Sequence, residues 1–278
     1  MPDAAPPVSA LRGEGLVLSH GGTTVVHGTS LTLTSGRVTA LVGPNGSGKT
    51  TLLRSLARLH RVDGGRVTLG APDGGHERPV SLLSARRFAR EVTLFAQSRP
   101  VPEGLTVSEI VAFGRHPHRR GFAGPSAEDR DAVGRAMRAT GVADMADRAA
   151  GALSGGEMQR VWLAACLAQD TGVVLLDEPT NHLDLRHQVE TLDLIRDLAE
   201  DHGVAVGVVL HDLDHAARVA DRVLLLNAGR AHAEGPPAEV LTTDHLSEVY
   251  GIRIEVSEDP VTGRLRMDPV GRRAELRR

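Results

Sequence analysis

The residues with the clearest chemical potential form a glycine-rich stretch around the only lysine of the chain. Lys49 is the single lysine among 32 basic residues, so every other cationic position is an arginine. The stretch runs Gly43, Pro44, Asn45, Gly46, Ser47, Gly48, Lys49, Thr50, which fits the pattern G-x-x-x-x-G-K-[ST], and Thr51 follows it. Glycines there let backbone N–H groups surround phosphate oxygens, while the lysine neutralises the outer phosphates and the threonine hydroxyl ligates Mg²⁺. The sequence therefore predicts a site for ATP and Mg²⁺.

A pair of carboxylates follows a second apolar run. Residues 173–176 are Val-Val-Leu-Leu, and they end in Asp177 and Glu178. Sheets of α/β proteins place their ligands at the carboxyl ends of strands. We therefore predict that Asp177 holds Mg²⁺, directly or through water, and that Glu178 polarises the attacking water as a general base. Taken alone, the pair fits two solvated acids at the end of a strand equally well.

A third stretch, Leu153-Ser154-Gly155-Gly156-Glu157, opens a predicted helix. Ser154 and Glu157 have the spacing of a capping box. Two glycines in a first helical turn cost roughly 1 kcal/mol each relative to alanine. Such bare backbone amides indicate that an anion docks on this end of the helix.

The elements around these residues predict an α/β protein. Residues 37–42 form a strand pattern that leads into the glycine-rich loop, and the apolar spacing after Thr50 predicts a helix. Short β-like runs at 15–19, 31–34 and 67–69 indicate an antiparallel sheet near the N-terminus. Residues 98–156 have helical patterns, including a possible capping box at Ser126 and Asp129. From Val161 onward strands and helices alternate, which predicts a parallel sheet with crossover helices, and a hairpin is expected after Tyr250.

Composition excludes several other classes. The net charge is only -3 and aromatic residues make up 2% of the chain, so neither a basic field nor base-stacking surfaces favour a nucleic-acid partner. The longest apolar runs fall far short of the roughly 20 residues of a spanning helix. The first residues lack a basic start and an apolar segment, so they predict a short disordered lead rather than a secretory signal, and we expect a cytosolic location.

The three motifs together resemble the nucleotide-binding cassette of ABC transporters. The resemblance rests on GPNGSGKT, on LSGGE followed by QR, and on VVLLDEPT, and it covers about residues 14–245. It implies an ABC-type α/β cassette that has a RecA-like parallel-sheet core, an N-terminal antiparallel β subdomain and an inserted α-helical subdomain. The expected division is as follows: 1–13 disordered lead; 14–97 β subdomain and first part of the ATP-binding core; 98–160 helical subdomain with the signature motif; 161–245 second part of the core; 246–278 C-terminal tail.

The resemblance also implies roles for single residues. Gln97, in LFAQ, is placed at the metal and the attacking water, and it links the cassette to the membrane partner. His211 is placed as the switch residue at the γ-phosphate, and Asp184 in a loop that contacts the opposite subunit. Ser154, Gly155 and Gly156 would reach the nucleotide of a second copy. The family usually carries an aromatic residue such as tyrosine against adenine, and this chain has His20 there, which we predict stacks on the base.

The family also implies partners. The chain is expected to dimerise on ATP and to power transmembrane permease subunits from the cytoplasmic face of the membrane, peripherally and with no transmembrane segment of its own. An extracytoplasmic substrate-binding protein would take part indirectly. The segments LTVSEIVAFGRHPHRR and CLAQDTGVVLLDEPTNHLDL look most like importers of iron siderophores, haem or cobalamin. Docking of the permease is predicted near residues 97–120, with Arg99, Arg115, Arg119 and Arg120 exposed. A soluble, non-transport ABC ATPase is the alternative, disfavoured because the single cassette is uninterrupted.

Overall fold

The fold is described here from a computed structural model that covers residues 9–70, 76–96, 103–119 and 124–271. The strands are β1 (Ser9–His20), β2 (Thr23–Thr34), β3 (Val38–Val42), β4 (Gly64–Leu69), β5 (Arg78–Pro79), β6 (Val92–Phe95), β7 (Val173–Asp177), β8 (Ala205–Val209), β9 (Arg222–Asn227), β10 (Arg230–Gly235), β11 (Ile254–Glu258) and β12 (Leu265–Pro269). The helices are α1 (Lys49–Leu56), α2 (Ala85–Phe88), α3 (Val107–Ala112), α4 (Ala127–Ala139), α5 (Gly155–Ala168), α6 (Leu185–Glu200), α7 (Leu213–Val219), α8 (Pro237–Val240) and α9 (Thr243–Tyr250).

A six-stranded sheet forms the centre of the molecule. Its order is β10-β9-β3-β8-β7-β6, in which the strands from β9 to β6 are parallel and β10 pairs antiparallel at the edge. Every residue of β3, β7 and β8 is buried, which explains why these strands consist mostly of Val, Leu and Ala. The predicted α/β class with a parallel core is confirmed.

The predicted antiparallel sheet is also present, with order β2-β1-β4-β5. Its first strand begins at Ser9, so the disordered lead expected over residues 1–13 is wrong for residues 9–13. Leu11 is fully buried and pairs with Leu33 on one side and Leu69 on the other. The start of the strand escaped detection, whereas its second part was predicted at 15–19, because register shifts near Gly13 interrupt the regular alternation of apolar residues.

Helices α3, α4 and α5 pack into a cluster of their own. The capping box at Ser126 and Asp129 is confirmed, and Ala136 and Met137 on the same helix are buried. Helix α5 runs without a break through the expected boundary at residue 160. One face of the helix, with Met158, Val161 and Ala164, packs in the helical cluster, whereas Leu163 and Cys166 pack in the core of the parallel sheet. A cut at 160 would therefore divide one helix.

The C-terminal part is more than a peripheral tail. Helix α9 begins at Thr243, before the expected boundary at 246, and β11 and β12 form the predicted hairpin around the turn at residues 260–263. Ile254 and Met267 are 2% and 7% exposed and belong to the main core cluster. The hairpin is thus packed on the core, because alternate residues of β11 face inward. Residues 272–278, which carry most of the basic end, lie outside the described residues.

Candidate functional site

The glycine-rich loop joins the end of β3 to the start of α1, as predicted. Gly43, Gly46 and Gly48 have φ values of 141°, 78° and 97°, which L-residues with side chains rarely adopt. A Cβ on Gly43 would lie 2.1 Å from the carbonyl oxygen of Leu226. Since Gly48 at the N-cap of α1 has no side chain, the first amides of that helix have no side-chain cap and remain open to an anion.

The ammonium group of Lys49 closes this loop. Its Nζ donates to the carbonyl oxygens of Gly43 at 2.7 Å and Pro44 at 2.9 Å, and the residue is 5% exposed. Burial lowers the pKa of Lys49, while the nearby carboxylates of Glu178 and Asp177 act in the opposite direction. The amine is therefore held near the two predicted acids, Asp177 and Glu178, at the N-terminal end of α1.

Asp177 ends β7 at the carboxyl edge of the sheet and is fully buried. Its Oδ1 atom accepts a hydrogen bond of 2.9 Å from the Thr50 hydroxyl. No hydrogen-bond donor in the described part of the chain reaches Oδ2, and the nearest cation, Nε of Arg54, is 3.7 Å away. Burial raises the pKa of the Asp177 carboxyl, against the opposing effects of the Thr50 hydrogen bond and the Arg54 guanidinium. One buried carboxylate oxygen is thus left for another partner.

The orphaned oxygen provides a test for the predicted Mg²⁺. Mg²⁺ takes hard oxygen ligands and is typically held by one or two carboxylates together with phosphates. The Thr50 hydroxyl and the Asp177 carboxylate supply oxygen atoms that are already adjacent, next to the phosphate-binding loop. These two residues therefore fit the ion. Gln97, the third predicted ligand, lies outside the described residues.

Glu178 occupies an unusual backbone position directly after the strand. Its φ is 54°, in the left-handed region, and the residue is 8% exposed. One carboxylate oxygen accepts from the side-chain amide of Asn181 at 2.5 Å, and the other is hydrogen-bonded to Nε2 of His211. The structure therefore brings together Glu178 and His211, which are 33 positions apart. Asn181 was missed by the sequence reasoning, although its place just after Glu-Pro-Thr was a signal.

These residues surround one cavity of about 360 Å³. It is lined by His20, Val25, Asn45, Gly46, Gly48, Lys49, Thr50, Thr51, Glu178 and His211. His20 is exposed, and its ring stacks on that of His60 at a centroid distance of 6.4 Å. Glu178, the one acid in the lining, is only 8% exposed. The phosphate loop, His20 (predicted to stack on adenine) and the predicted catalytic residues Glu178 and His211 thus line one cavity.

The LSGGE residues do not line this cavity. The capping box is present, since Ser154 accepts from the amide of Glu157 at 3.3 Å and Glu157 accepts from the amide of Ser154 at 2.7 Å. The hydrogen bond from the Ser154 backbone amide is the main cause that lowers the pKa of Glu157 to about 2, and hydrogen bonds from the side chains of Ser154 and Arg148 act in the same direction. Ser154 and Gly155 are exposed, and a Cβ on Gly155 would meet no atom of the described chain within 4 Å. The bare helix start is therefore not required by internal packing.

Asp184 also lies away from the cavity. It is the N-cap of α6, where its carboxylate accepts from the backbone N–H of His187 at 2.9 Å and from the ring of the same residue at 2.8 Å. The hydrogen bond from that N–H is the main cause of a lowered pKa of Asp184. The capping role was not anticipated from the sequence. It leaves the predicted contact with an opposite subunit open, because the side chain is exposed.

Comparison with known proteins agrees with this geometry. The model of the family described as ABC transporter matches residues 26–181. The ferric enterobactin transport ATP-binding protein FepC of Escherichia coli strain K12 is 42% identical over 267 residues, which cover 96% of each chain. The hemin import ATP-binding protein HmuV of Rhodococcus jostii strain RHA1 is 43% identical over 253 residues, or 91% of this chain and 84% of the relative.

Similarity extends to solved structures. A chain of an ABC transporter in an inward-facing conformation superposes with a TM-score of 0.81 and 25% identity, covering 95% of this chain and 98% of that one. The ATP-binding cassette MJ1267 in its ADP conformation gives a TM-score of 0.74 at 23% identity, covering 87% and 98%. Within the described residues, none of the helices is long and apolar enough to span a membrane.

Proposed function

Because this chain belongs to the ABC transporter family and is a transport ATPase, we propose that it drives a membrane permease that imports an iron-siderophore, haem or cobalamin-type substrate. One observation carries the chemical part of the proposal: the phosphate loop, Glu178 and His211 converge on one cavity. The proposed class of substrate rests on the relatives, whose names are those of ATP-binding proteins for ferric enterobactin transport, cobalamin import and hemin import. The test is to isolate the native complex, identify its membrane chains, and measure substrate uptake with and without this subunit.

Binding begins with the phosphates. The open amides of α1 and of the loop offer donors to phosphate oxygens, and Lys49 can exchange its bonds to Gly43 and Pro44 for bonds to the outer phosphates. His20 lines the same cavity, and we propose that its ring provides the surface for adenine. The Ser47 hydroxyl is buried without a hydrogen-bond partner in the described residues, so it is a further donor for the phosphates.

Thr50 and Asp177 are the residues that would hold Mg²⁺, and Gln97 is proposed to join them. When bound, this ion neutralises negative charge on the phosphates. The chain's own part is to keep the ligands in place. Thr50 is fixed by its bond to Asp177, and Asp177 is fixed by burial at the end of β7. Neither group has to be reorganised when phosphate arrives.

Glu178 is proposed to orient and deprotonate the attacking water. Its carboxylate is held from two sides by Asn181 and His211, so its position relative to Lys49 is restrained. His211 is exposed on one side and buried against Glu178 on the other. We propose that on ATP binding His211 donates to the γ-phosphate, which frees one oxygen of Glu178 to accept the proton of the water.

The site of one chain is half of a complete site. Ser154 and Gly155 are exposed and lie outside the cavity. A Cβ on Gly155 would meet no described atom within 4 Å, so internal packing does not require a glycine there. We propose that these two residues dock on the nucleotide held by a second copy, as the bare amides of a helix start can. Asp184, exposed at the start of α6, would contact the opposite subunit at the same interface. The active form is then a dimer closed on two ATP molecules.

The permease is proposed to dock around residues 97–120. Phe113 is 51% exposed in this segment, and Leu82, which precedes α2 in the sequence, is 79% exposed. The expectation that Arg115 is exposed is wrong: it is 2% exposed because it pairs with Asp129 at 2.8 Å and donates to the carbonyl oxygen of Ala168 at 3.0 Å. Arg119 is partly exposed, and Arg99 and Arg120 lie outside the described residues.

Crosslinking tests this surface. A photoreactive residue at Phe113 should capture a permease chain in the assembled complex, and one at Val261, which is 90% exposed on the C-terminal hairpin, should not. Crosslinks found only from the hairpin would contradict the proposed surface.

In the same complex we propose an association with the cytoplasmic face of the membrane and an indirect functional link to an extracytoplasmic substrate-binding protein. Recovery of the chain without any membrane partner would favour the soluble ABC ATPase.

A further inference from the structure

The side chain of Gln159 connects helix α5 to the loop that follows Glu178. Its Nε2 donates to the carbonyl oxygen of Pro179 at 2.7 Å, and the contact is partly buried. Gln159 lies in the second turn of α5, the helix that carries Ser154 at its N-cap. The same helix approaches the loop a second time, since a Cβ on Gly156 would lie 3.6 Å from Leu183.

The loop after Glu178 needs such restraints. A left-handed φ on a residue with a side chain costs roughly 1–2 kcal/mol, and it persists only where the surroundings fix it. Two backbone bonds hold the turn: the N–H of Glu178 donates to the carbonyl oxygen of Val209 at 3.2 Å, and the N–H of Asn181 donates to that of Glu178 at 3.3 Å. The bond from Gln159 fixes the next carbonyl of the turn, that of Pro179.

Helix α5 is a rigid support for this bond. Its start is locked by the capping box of Ser154 and Glu157, and Arg148 donates to Glu157 at 2.9 Å. Met158 and Val161, on either side of Gln159, are 6% and 0% exposed in the helical cluster. The amide of Gln159 therefore has little freedom to leave Pro179 unless the helix moves as a whole.

We propose that Gln159 is a positioning residue that holds the Glu178 loop in register with helix α5. The inference rests on the proposed role of Glu178 as the base. It has a consequence for the dimer: α5 presents Ser154 to the nucleotide of the second copy while it restrains the base of its own chain. A displacement of α5 at one nucleotide is then passed to the catalytic loop of the other through the bond between Gln159 and Pro179.

Two substitutions separate this role from simple packing. Gln159→Met keeps the length of the side chain and suits a helix, but it has no donor. Gln159→Glu keeps the shape and sets a carboxylate against the Pro179 oxygen. A packing role makes Gln159→Glu the milder change, whereas the positioning role makes it the more severe. We expect kcat for ATP hydrolysis to fall roughly fivefold in Gln159→Met and further in Gln159→Glu, with KM for ATP within about twofold of the parent.

Gln188 offers a matched control. It is also a glutamine whose Nε2 faces the same loop, at 3.5 Å from the carbonyl oxygen of Thr180, but it lies on α6 and its contact is long. Gln188→Met should leave both kcat and KM within about twofold of the parent, because so long a contact contributes little. An equal loss of kcat in Gln188→Met and Gln159→Met would refute a specific role for Gln159.

Hydrogen exchange in the full chain without nucleotide provides a readout that does not depend on catalysis. Amides between Thr180 and Leu183 should exchange faster in Gln159→Met than in the parent, while those in the second half of α5 stay unchanged. Unchanged exchange in the loop would overturn the inference even if the ATPase activity is as proposed. Conversely, the parent chain could lack ATPase activity while the loop still exchanges faster in Gln159→Met. That result would refute the proposed function and leave the positioning role intact.

Discussion

Replacing Glu178 by glutamine tests the proposed base with minimal disturbance of the fold. The two side chains have the same shape, and Glu178 is only 8% exposed, so no cavity or overlap arises. The amide oxygen of the introduced side chain would still accept from Asn181, and its N–H₂ group can donate to His211 where the carboxylate now contacts it. Since both contacts are kept, we expect the free energy of unfolding to change by less than about 1 kcal/mol.

The catalytic effect should be far larger. A glutamine cannot accept the proton of the attacking water, and general base catalysis contributes a factor of about 10²–10⁴. That factor corresponds to roughly 2.7–5.4 kcal/mol in activation free energy. We therefore expect kcat to fall by at least about a hundredfold. ATP affinity should stay within about threefold of the parent, because the phosphate loop and Lys49 are untouched.

The assay combines phosphate release at saturating ATP with light scattering of the eluted protein. Glu178→Gln should accumulate as ATP-bound dimers, since the dimer can close on ATP but cannot hydrolyse it. Glu190→Gln is the matched control, because Glu190 is half-exposed on α6, pairs with Arg186 and does not line the cavity. Hydrolysis by Glu178→Gln at the rate of the control would remove Glu178 from the role of base. Loss of ATP binding would instead assign it a role in binding.

Three further predictions concern assembly, base recognition and acid stability. Turnover per chain should rise with protein concentration, because Ser154 must come from a second copy; constant turnover by a proven monomer, measured beside its sedimentation, would contradict this. His20→Ala should weaken ATP binding by at least about fivefold through lost stacking while leaving tripolyphosphate binding unchanged, as calorimetry can measure, and equal ATP affinity would exclude the stacking role. Hydrogen bonding from Arg115 holds the pKa of Asp129 at about 2, below its ordinary 3.8, so its stabilising contribution is complete above about pH 4 and is lost as the pH falls through 2. Urea unfolding of Asp129→Asn should therefore show lower stability at neutral pH and a flatter profile between pH 4 and 2, and parallel profiles would refute this.

The parts of the site that depend on chain-local geometry were predictable. The phosphate loop needs a strand before it and a helix after it, and both leave strong patterns within a dozen residues of Lys49. Asp177 and Glu178 could be placed because a buried strand must end where its apolar run ends. The predicted ATPase activity and the α/β cassette are confirmed by the family match and by the similar structures.

Features set by distant partners were not predictable. Arg115 was expected on the surface because an arginine in a polar segment usually is exposed, and the Asp129 that buries it comes 14 positions later on another helix. Strand β1 was missed at its start because Leu11 acquires its partners only when β2 and β4 pair with it. The bond between Gln159 and Pro179 likewise joins a helix to a loop that comes 20 positions later in the chain. Such contacts follow from tertiary packing, which a single sequence does not encode in any local period.

The solitary lysine has a practical consequence for chemical labelling. A reagent that acylates lysine side chains has one target in this protein, and that target lies in the phosphate loop. The lowered pKa makes the neutral, nucleophilic amine more available, whereas burial and the bonds to Gly43 and Pro44 shield it. Modification at Lys49 therefore requires the amine to leave its bonds to Gly43 and Pro44. Bound nucleotide should protect it, so a mass spectrometer can report occupancy in a crude extract without any engineered probe.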